Sequence, residues 1–256
     1  MQTNFIIQFL AGLSQVFILI SMCALAYFFI WKLGAKKFSE NRLDPSTDEI
    51  VNKQIKSELK TATLNLMIGF FVTFTAMVLS GEITNLTSAL NRPIEIVPFV
   101  LTIITLYFFN DLWFYLWHRA LHTSLLFRYI HFIHHKSRAV NPFSSYSMHM
   151  IEGFLFTAWV FPILIYVPID LRALFVMQIL GTINNIMSHL GHEFLPLKLI
   201  KIPILKNVNT ATYHSMHHLH YNGNYGLLTR VWDRMFGTEL EGYEKNYERR
   251  KIGQSN

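Results

Sequence analysis

Charge is scarce in this chain. Only 15% of its 256 residues are Asp, Glu, Lys or Arg, whereas 52% are hydrophobic. So little polar surface cannot coat an ordinary water-surrounded globule of this length, which places the chain in a lipid bilayer. Cysteine is nearly missing as well: Cys23 stands alone, which excludes an intramolecular disulfide and a thiolate cluster and leaves nitrogen and oxygen as the donors for any metal. Cys23 itself reads as a small apolar residue of a helix. No Glu has a His three residues later, which disfavours the carboxylate-bridged two-metal helix bundle. His192-Glu193 is followed by no second histidine, which excludes the His-Glu-x-x-His zinc-protease helix. Nucleic-acid recognition motifs are absent too, so the net charge of +6 reads as membrane orientation and contact with anionic lipid heads, not as nucleic-acid binding.

What the chain does have is long apolar runs. Phe5 to Trp31 and Thr61 to Gly81 carry no charge, and Ile96 to Trp117 carries one acid, Asp111. Each is long enough to cross a bilayer, which takes about 20 residues. Ala24-Leu25-Ala26 resembles a cleavage site, but no basic residue precedes the first run and its apolar character continues through Trp31, so it reads as a retained anchor. Gly153 to Ile169 and Ala173 to Ser188 are shorter and close together, as in a tight or partly re-entrant hairpin. With four spans, every Lys and Arg except Arg92 and Arg172 falls on one side, which the positive-inside rule makes cytoplasmic. Asp44-Pro45-Ser46 marks a break in the basic loop, and Asp48 to Lys60 reads as an exposed helix with solvated charges leading into the second span. Asn141-Pro142 is expected to end the helix of the second histidine group, and Leu195 to Val208, with its three lysines and with Pro196 and Pro203, reads as an interfacial element.

Histidine is the other abundance. Of twelve, eight form three compact groups: His118 with His122, His131 with His134 and His135, and His214 with His217 and His218; His189 stands between the last two groups. Spacings of three and four residues aim imidazoles from one helical face, which is how a helix binds metal. All three groups lie on the basic side. A structural zinc site needs four ligands, so eight or nine candidates are enough for two ions; imidazole accepts iron, copper and zinc alike, which leaves the element open on spacing alone. His192 shares a face with His189 and joins the candidate ligands. Asp111 lies two turns before His118 on the same face, where an acid inside an apolar span is expected to accept a hydrogen bond from a ligand histidine and orient it. His149 and Glu152 are expected to pair with each other behind the ligands, with direct ligation by His149 the alternative. Trp232, Asp233 and Arg234 are expected to lock the C-terminal segment onto the core.

The motifs taken together, His118-Arg119-Ala120-Leu121-His122, His131-Phe132-Ile133-His134-His135 and His214-Ser215-Met216-His217-His218, then Asn224-Tyr225-Gly226 and Trp232 to Thr238, resemble the fatty acid hydroxylase and sterol desaturase superfamily from about Asp111 to Thr238. Asn141-Pro142-Phe143 leading to His149-Met150-Ile151-Glu152-Gly153 is most similar to the sterol desaturase branch, with Met150 where that branch has proline. The resemblance implies a histidine-rich membrane oxygenase with two iron ions, which uses O2 and two electrons to hydroxylate or desaturate a sterol, fatty acyl or related lipid. The ligands it implies are His118, His122, His131, His134, His135, His189, His192, His214, His217 and His218. It further implies a separate electron donor, cytochrome b5-like, a ferredoxin or a reductase, and a cytoplasmic-side catalytic centre in a bacterial inner membrane or the endoplasmic reticulum. The other class of function is a membrane carrier of metal or haem that uses the histidines without redox catalysis. The expected architecture is all-α: about four transmembrane or hairpin helices capped by a cytoplasmic histidine-rich helical domain for two metals. The chain reads as one membrane-embedded domain, 1–256, with anchor spans and basic loop in 1–95, a catalytic region in 96–240 and a tail in 241–256.

Overall fold

The computed structural model describes residues 2–43, 48–79, 92–203 and 205–252. Asp44-Pro45-Ser46, Ser80-Gly81 and residues 253–256 of the tail lie outside the described residues. The rest is helical, and among the described residues the only β pairings are two isolated bridges, Arg42 with His192 and Val208 with Thr229.

Three helices are long and apolar enough to cross a membrane. Helix α1 (Gln2–Tyr27) runs into a π-turn at Phe28–Leu33. It buries Val16 and Cys23 and exposes Phe17, Ile18 and Leu25, an outward apolar face suited to lipid. Helix α2 (Asp48–Leu79) has 32 residues. At 1.5 Å per residue it is about 48 Å long, so it outreaches the hydrocarbon layer and projects beyond it. As expected, the mostly exposed stretch up to Lys60 leads without a break into the span from Thr61. One face stays packed throughout, with Val51 buried against Trp31 and Ala139, and Glu58 also buried. The charge of Glu58 is therefore not part of a solvated face. Helix α3 (Ile96–Leu121) has Pro98 in its first turn, where a missing N–H costs nothing.

Two shorter helices come next, α4 (Met150–Thr157) and α5 (Val160–Tyr166). Pro162 lacks the N–H that would bond to Ala158 and its ring crowds that carbonyl, so the helix breaks at Ala158 and Trp159. Asp170 caps α6 (Leu171–Ser188) by accepting from the Arg172 N–H at 2.9 Å, and pairs with the Arg172 guanidinium at 2.6 Å. Arg172 Nη1 also donates to the Arg92 carbonyl at 2.9 Å, so α3 and α6 begin at the same end and end at the other, where the histidines are. Ala76, Leu106, Trp159, Leu164, Leu174 and Met177 form the core between α2, α3, α5 and α6.

Beyond α6 come α7 (Ala211–His220), α8 (Val231–Phe236) and α9 (Tyr243–Ile252). Leu195 to Val208 is not a continuous interfacial helix: it holds a turn at Leu197–Ile200 and another at Leu205–Asn207. Ile200 enters a core with Tyr213, Met216, Tyr243 and Tyr247. The buried arginine locking the C-terminal segment is Arg230, not Arg234. It pairs with Glu239 at 2.6 Å and lies 4.0 Å over the Tyr243 ring, whereas Arg234 is partly exposed and meets Glu239 at 3.2 Å.

Candidate metal centre

The histidines sit where helices end. His118 is in the last turn of α3 and His122 is its C-cap; His189 is the C-cap of α6; His214, His217 and His218 lie on α7. His131 closes a π-turn, Phe127–His131, and His134 and His135 occupy the short helix Phe132–His135 directly after it. π-turns recur at functional sites because the extra residue rotates the next helical turn about the axis.

Nine rings gather into two sets. His118, His122, His131, His135 and His217 each offer one ring nitrogen within 4.8 Å of the others, and so do His134, His189, His214 and His218. The sequence groups are therefore not the spatial groups. In each His-x-x-His-His segment the first and last histidines lie close to one line along the helix, while the middle one is turned by about 100° from the last. His131 and His135 enter the first set and His134 the second; His214 and His218 enter the second and His217 the first. The sets adjoin, with His135 and His218 ring centres 4.6 Å apart and His131 and His134 5.4 Å apart.

The outer nitrogens decide what the inner ones offer. Nδ1 of His118 donates to the Tyr225 carbonyl at 2.7 Å, Nδ1 of His131 to Glu152 at 2.8 Å, Nδ1 of His134 to the Ser147 carbonyl at 3.1 Å, Nδ1 of His189 to the Asn185 carbonyl at 2.9 Å and Nδ1 of His217 to the Gly223 carbonyl at 2.7 Å. A neutral imidazole that gives its proton on Nδ1 keeps a bare lone pair on Nε2. Yet Nε2 of His118 faces Nε2 of His131 at 3.0 Å, and Nε2 of His135 lies 3.1 Å from that of His131. In the second set Nε2 of His214 lies 3.0 Å from both His189 and His218. His217 Nε2 is buried with no hydrogen-bond partner. His118 and His131 both hold their proton at Nδ1, so their Nε2 lone pairs face one another and repel unless a cation lies between them. Nitrogens about 2.1 Å from a metal stand about 3 Å apart when at right angles, so the donor set fits metal ions.

Burial keeps these rings neutral. It lowers the pKa of His131, His189 and His217 to about 3 and that of His134 to about 4. His122, His135, His214 and His218 are also lowered, first by burial and then by neighbouring imidazoles. Neutral imidazole is the form that binds metal.

Three expected site residues are placed elsewhere. His192 belongs to neither set: its Nδ1 lies 3.2 Å from the Leu190 carbonyl and its ring meets Trp31 edge-on at 4.9 Å. The C-cap at His189 ends α6, so the helical spacing that would have aimed His192 alongside it does not continue. His149 does not pair with Glu152 through its ring; it caps α4, accepting from the Ile151 N–H at 3.1 Å, while Glu152 bonds to His131. Asp111 touches no histidine. Its carboxylate accepts from the N–H groups of Leu228 and Thr229 at 2.8 and 3.3 Å, from the Thr229 hydroxyl at 2.5 Å and from Trp232 Nε1 at 3.0 Å. Two turns of helix, about 10 Å, are too far for a direct bond to His118, and the 224–230 loop supplies the partners instead.

That loop does reach the site. Asp233 accepts from the N–H groups of Tyr225 and Gly226 at 2.8 and 2.7 Å, which fixes the peptide whose Tyr225 carbonyl holds His118. Gly226 is obligatory there, because a Cβ would overlap the Thr229 carbonyl oxygen. The acceptors at Ser147, Asn185, Gly223 and Tyr225 were invisible in the sequence, since every residue carries a carbonyl. The glycines and asparagines of the 222–226 turn are the one hint, and Asn224 indeed has a left-handed φ of 57°.

A profile of the fatty acid hydroxylase family matches residues 103–238, which includes all nine clustered histidines. Among curated proteins, the Delta(7)-sterol 5(6)-desaturase of Leptosphaeria maculans is 33% identical over 55% of this chain and 37% of its own length. Human lathosterol oxidase is 30% identical over 57% of this chain and 47% of its own. A probable Delta(7)-sterol 5(6)-desaturase of Neurospora crassa is 28% identical over 93% of this chain and 63% of its own. The chain thus spans less than two thirds of the length of the relatives it matches. No solved structure matches it. With the match covering more than half of its length and all nine clustered histidines, this chain belongs to the fatty acid hydroxylase family.

Proposed function

We propose that this chain is an O2-dependent oxygenase that holds two iron ions and hydroxylates or desaturates a sterol, fatty acyl or related lipid. The observation that carries the reading is the division of nine imidazoles, eight buried and His122 half-buried, into two adjoining sets, five and four strong, with no carboxylate in either. His118, His122, His131, His135 and His217 would hold one ion, and His134, His189, His214 and His218 the other. When bound, the iron pair supplies activation of dioxygen and attack on an unactivated C–H bond. Neutral ligands leave the full positive charge of the ions in place, which favours that chemistry.

The protein's own share is orientation and exclusion of water. Tyr225, Glu152, Ser147, Asn185 and Gly223 lock five of the nine rings by holding Nδ1, so those five need not reorganise on binding. Phe114, 5.0 Å from His118 and 4.2 Å from Phe156, connects the apolar α3 to the first set, and a lipid chain would approach along it. Two electrons come from a separate donor on the cytoplasmic side, where the basic loops lie under the positive-inside rule. A carrier of metal needs ligands that release their ion; five rings each tied at Nδ1 favour permanent ligation instead. The test is incubation of the purified, iron-loaded protein with a chemical electron source, sterol and fatty acyl substrates and 18O2, followed by mass spectrometry of lipids. Incorporation of 18O or loss of two hydrogens supports the reading; reversible zinc uptake without lipid oxidation contradicts it.

A further inference from the structure

We propose that helix α2, which lies wholly outside the segment matched by the family, acts as the template that orients the second histidine set, with Thr61 and Asn65 as its positioning residues. The inference rests on reading the two sets as metal sites.

Gln54, Glu58, Thr61 and Asn65 recur at spacings of four, three and four, which puts them on one face of α2. That polar stripe docks onto residues 139–153. Glu58 accepts from Asn141 Nδ2 at 2.8 Å, and Asn141 caps the 3-10 turn Pro142–Tyr146. Thr61 Oγ1 lies 3.0 Å from the Ser57 carbonyl and 3.1 Å from that of Glu58, so its one proton is engaged within its own helix. Ser147 Oγ, 2.6 Å away, must then donate to Thr61. One turn on, Asn65 Nδ2 donates to the Met148 carbonyl. The peptide between Ser147 and Met148 is therefore pinned on both sides by α2. Its carbonyl, that of Ser147, is the acceptor for His134 Nδ1.

The same face also reaches the first set, less directly. A Cβ on Gly153 would overlap Asn65 Oδ1, so glycine there permits the close approach of α4, whose Glu152 bonds to His131. Thr61 contacts only the Ser147 side of this arrangement, which makes it the selective probe. Loss of its acceptor frees the Ser147 carbonyl and hence His134, without touching any bond of His118, His122, His131, His135 or His217.

The experiment is a chelator titration of ferrous-iron-loaded protein in detergent. In Thr61→Val, about half of the bound iron should leave at a chelator concentration 10- to 100-fold lower than in the unsubstituted chain, the scale of losing a group that orients a ligand. Thr61→Ser should restore the single late release. Ser147→Ala, which removes the same bond from the other side, should give the same split and serves if Thr61→Val fails to fold. Thr63→Val, the same chemical change on a side chain bonded only to Leu59, should behave as the unsubstituted chain. Release of all the iron together from Thr61→Val, unaltered release from it, or failure of Thr61→Ser to restore the late phase would overturn the inference. Fewer than two irons in the unsubstituted chain refutes the proposed function, and this inference with it; two irons with no split refutes the inference alone.

Discussion

An imidazole whose Nδ1 is tied to a carbonyl has one lone pair left, and where that pair points decides what it holds. His134 and His192 make the contrast. Both are buried, but His134 points Nε2 into the second set and His192 packs against Trp31. His134→Ala should lose the metal of the second set and abolish turnover, whereas His192→Ala should keep full metal content, as measured by plasma mass spectrometry of the purified variants. Asp111 belongs with the scaffold. Its carboxylate gathers four donors from Leu228, Thr229 and Trp232, and Asp111→Asn replaces one acceptor oxygen by a donor facing donors. The variant should lose about 2–4 kcal/mol of stability, read as a lower unfolding temperature of the metal-free protein, and excess iron should not restore that loss. The ligand histidines were legible because three- and four-residue spacing has a meaning on a helix. Asp111 was legible as buried and bonded, but its partner was not, because the 224–230 loop is brought to it by tertiary folding.

At the level of elements, the His-x-x-His-His segments show how one short helix serves two sites. Its first and last histidines take one set and its middle histidine the other, and two such segments, facing each other, complete both sets. The sequence marks the segments but not this exchange, which arises from rotation along the helix and from which helix stands opposite. The apolar runs gave the spans well, because their length is set by the bilayer. The exposed helix leading into the second span was legible, but the burial of Glu58 was not, because charge alone does not distinguish a solvated glutamate from one bonded to Asn141. The turn from Gly223 to Gly226 has no room for a methyl group at Gly226. Gly226→Ala forces the Thr229 carbonyl away, moves the Tyr225 peptide and should cost about 1–3 kcal/mol of stability, with weaker metal retention in the first set, to which His118 belongs.

For the whole molecule, burying eight imidazoles in one place links stability to pH. His131, His189 and His217, lowered to about 3, and His134, lowered to about 4, stay neutral in the folded metal-free protein, whereas the unfolded chain protonates them near their ordinary value of 6.5. The unfolded state thus binds more protons below that value, and stability falls as pH falls from about 6.5 towards 3–4. Thermal unfolding of metal-free protein should give a flat unfolding temperature above that window and a steep drop within it. Orientation is a second property of the whole: a tag on the N-terminus should be shielded from cytoplasmic protease while the turn at Lys36 and Lys37 is cut, and the reverse pattern would refute the proposed sidedness. The central claim is that two adjoining histidine sets hold two irons. It is tested most directly by counting iron per chain in protein purified from iron-replete membranes, beside His134→Ala. The account predicts two irons per chain, with the second-set iron lost in the variant; a single iron, or an unchanged count in the variant, would contradict it.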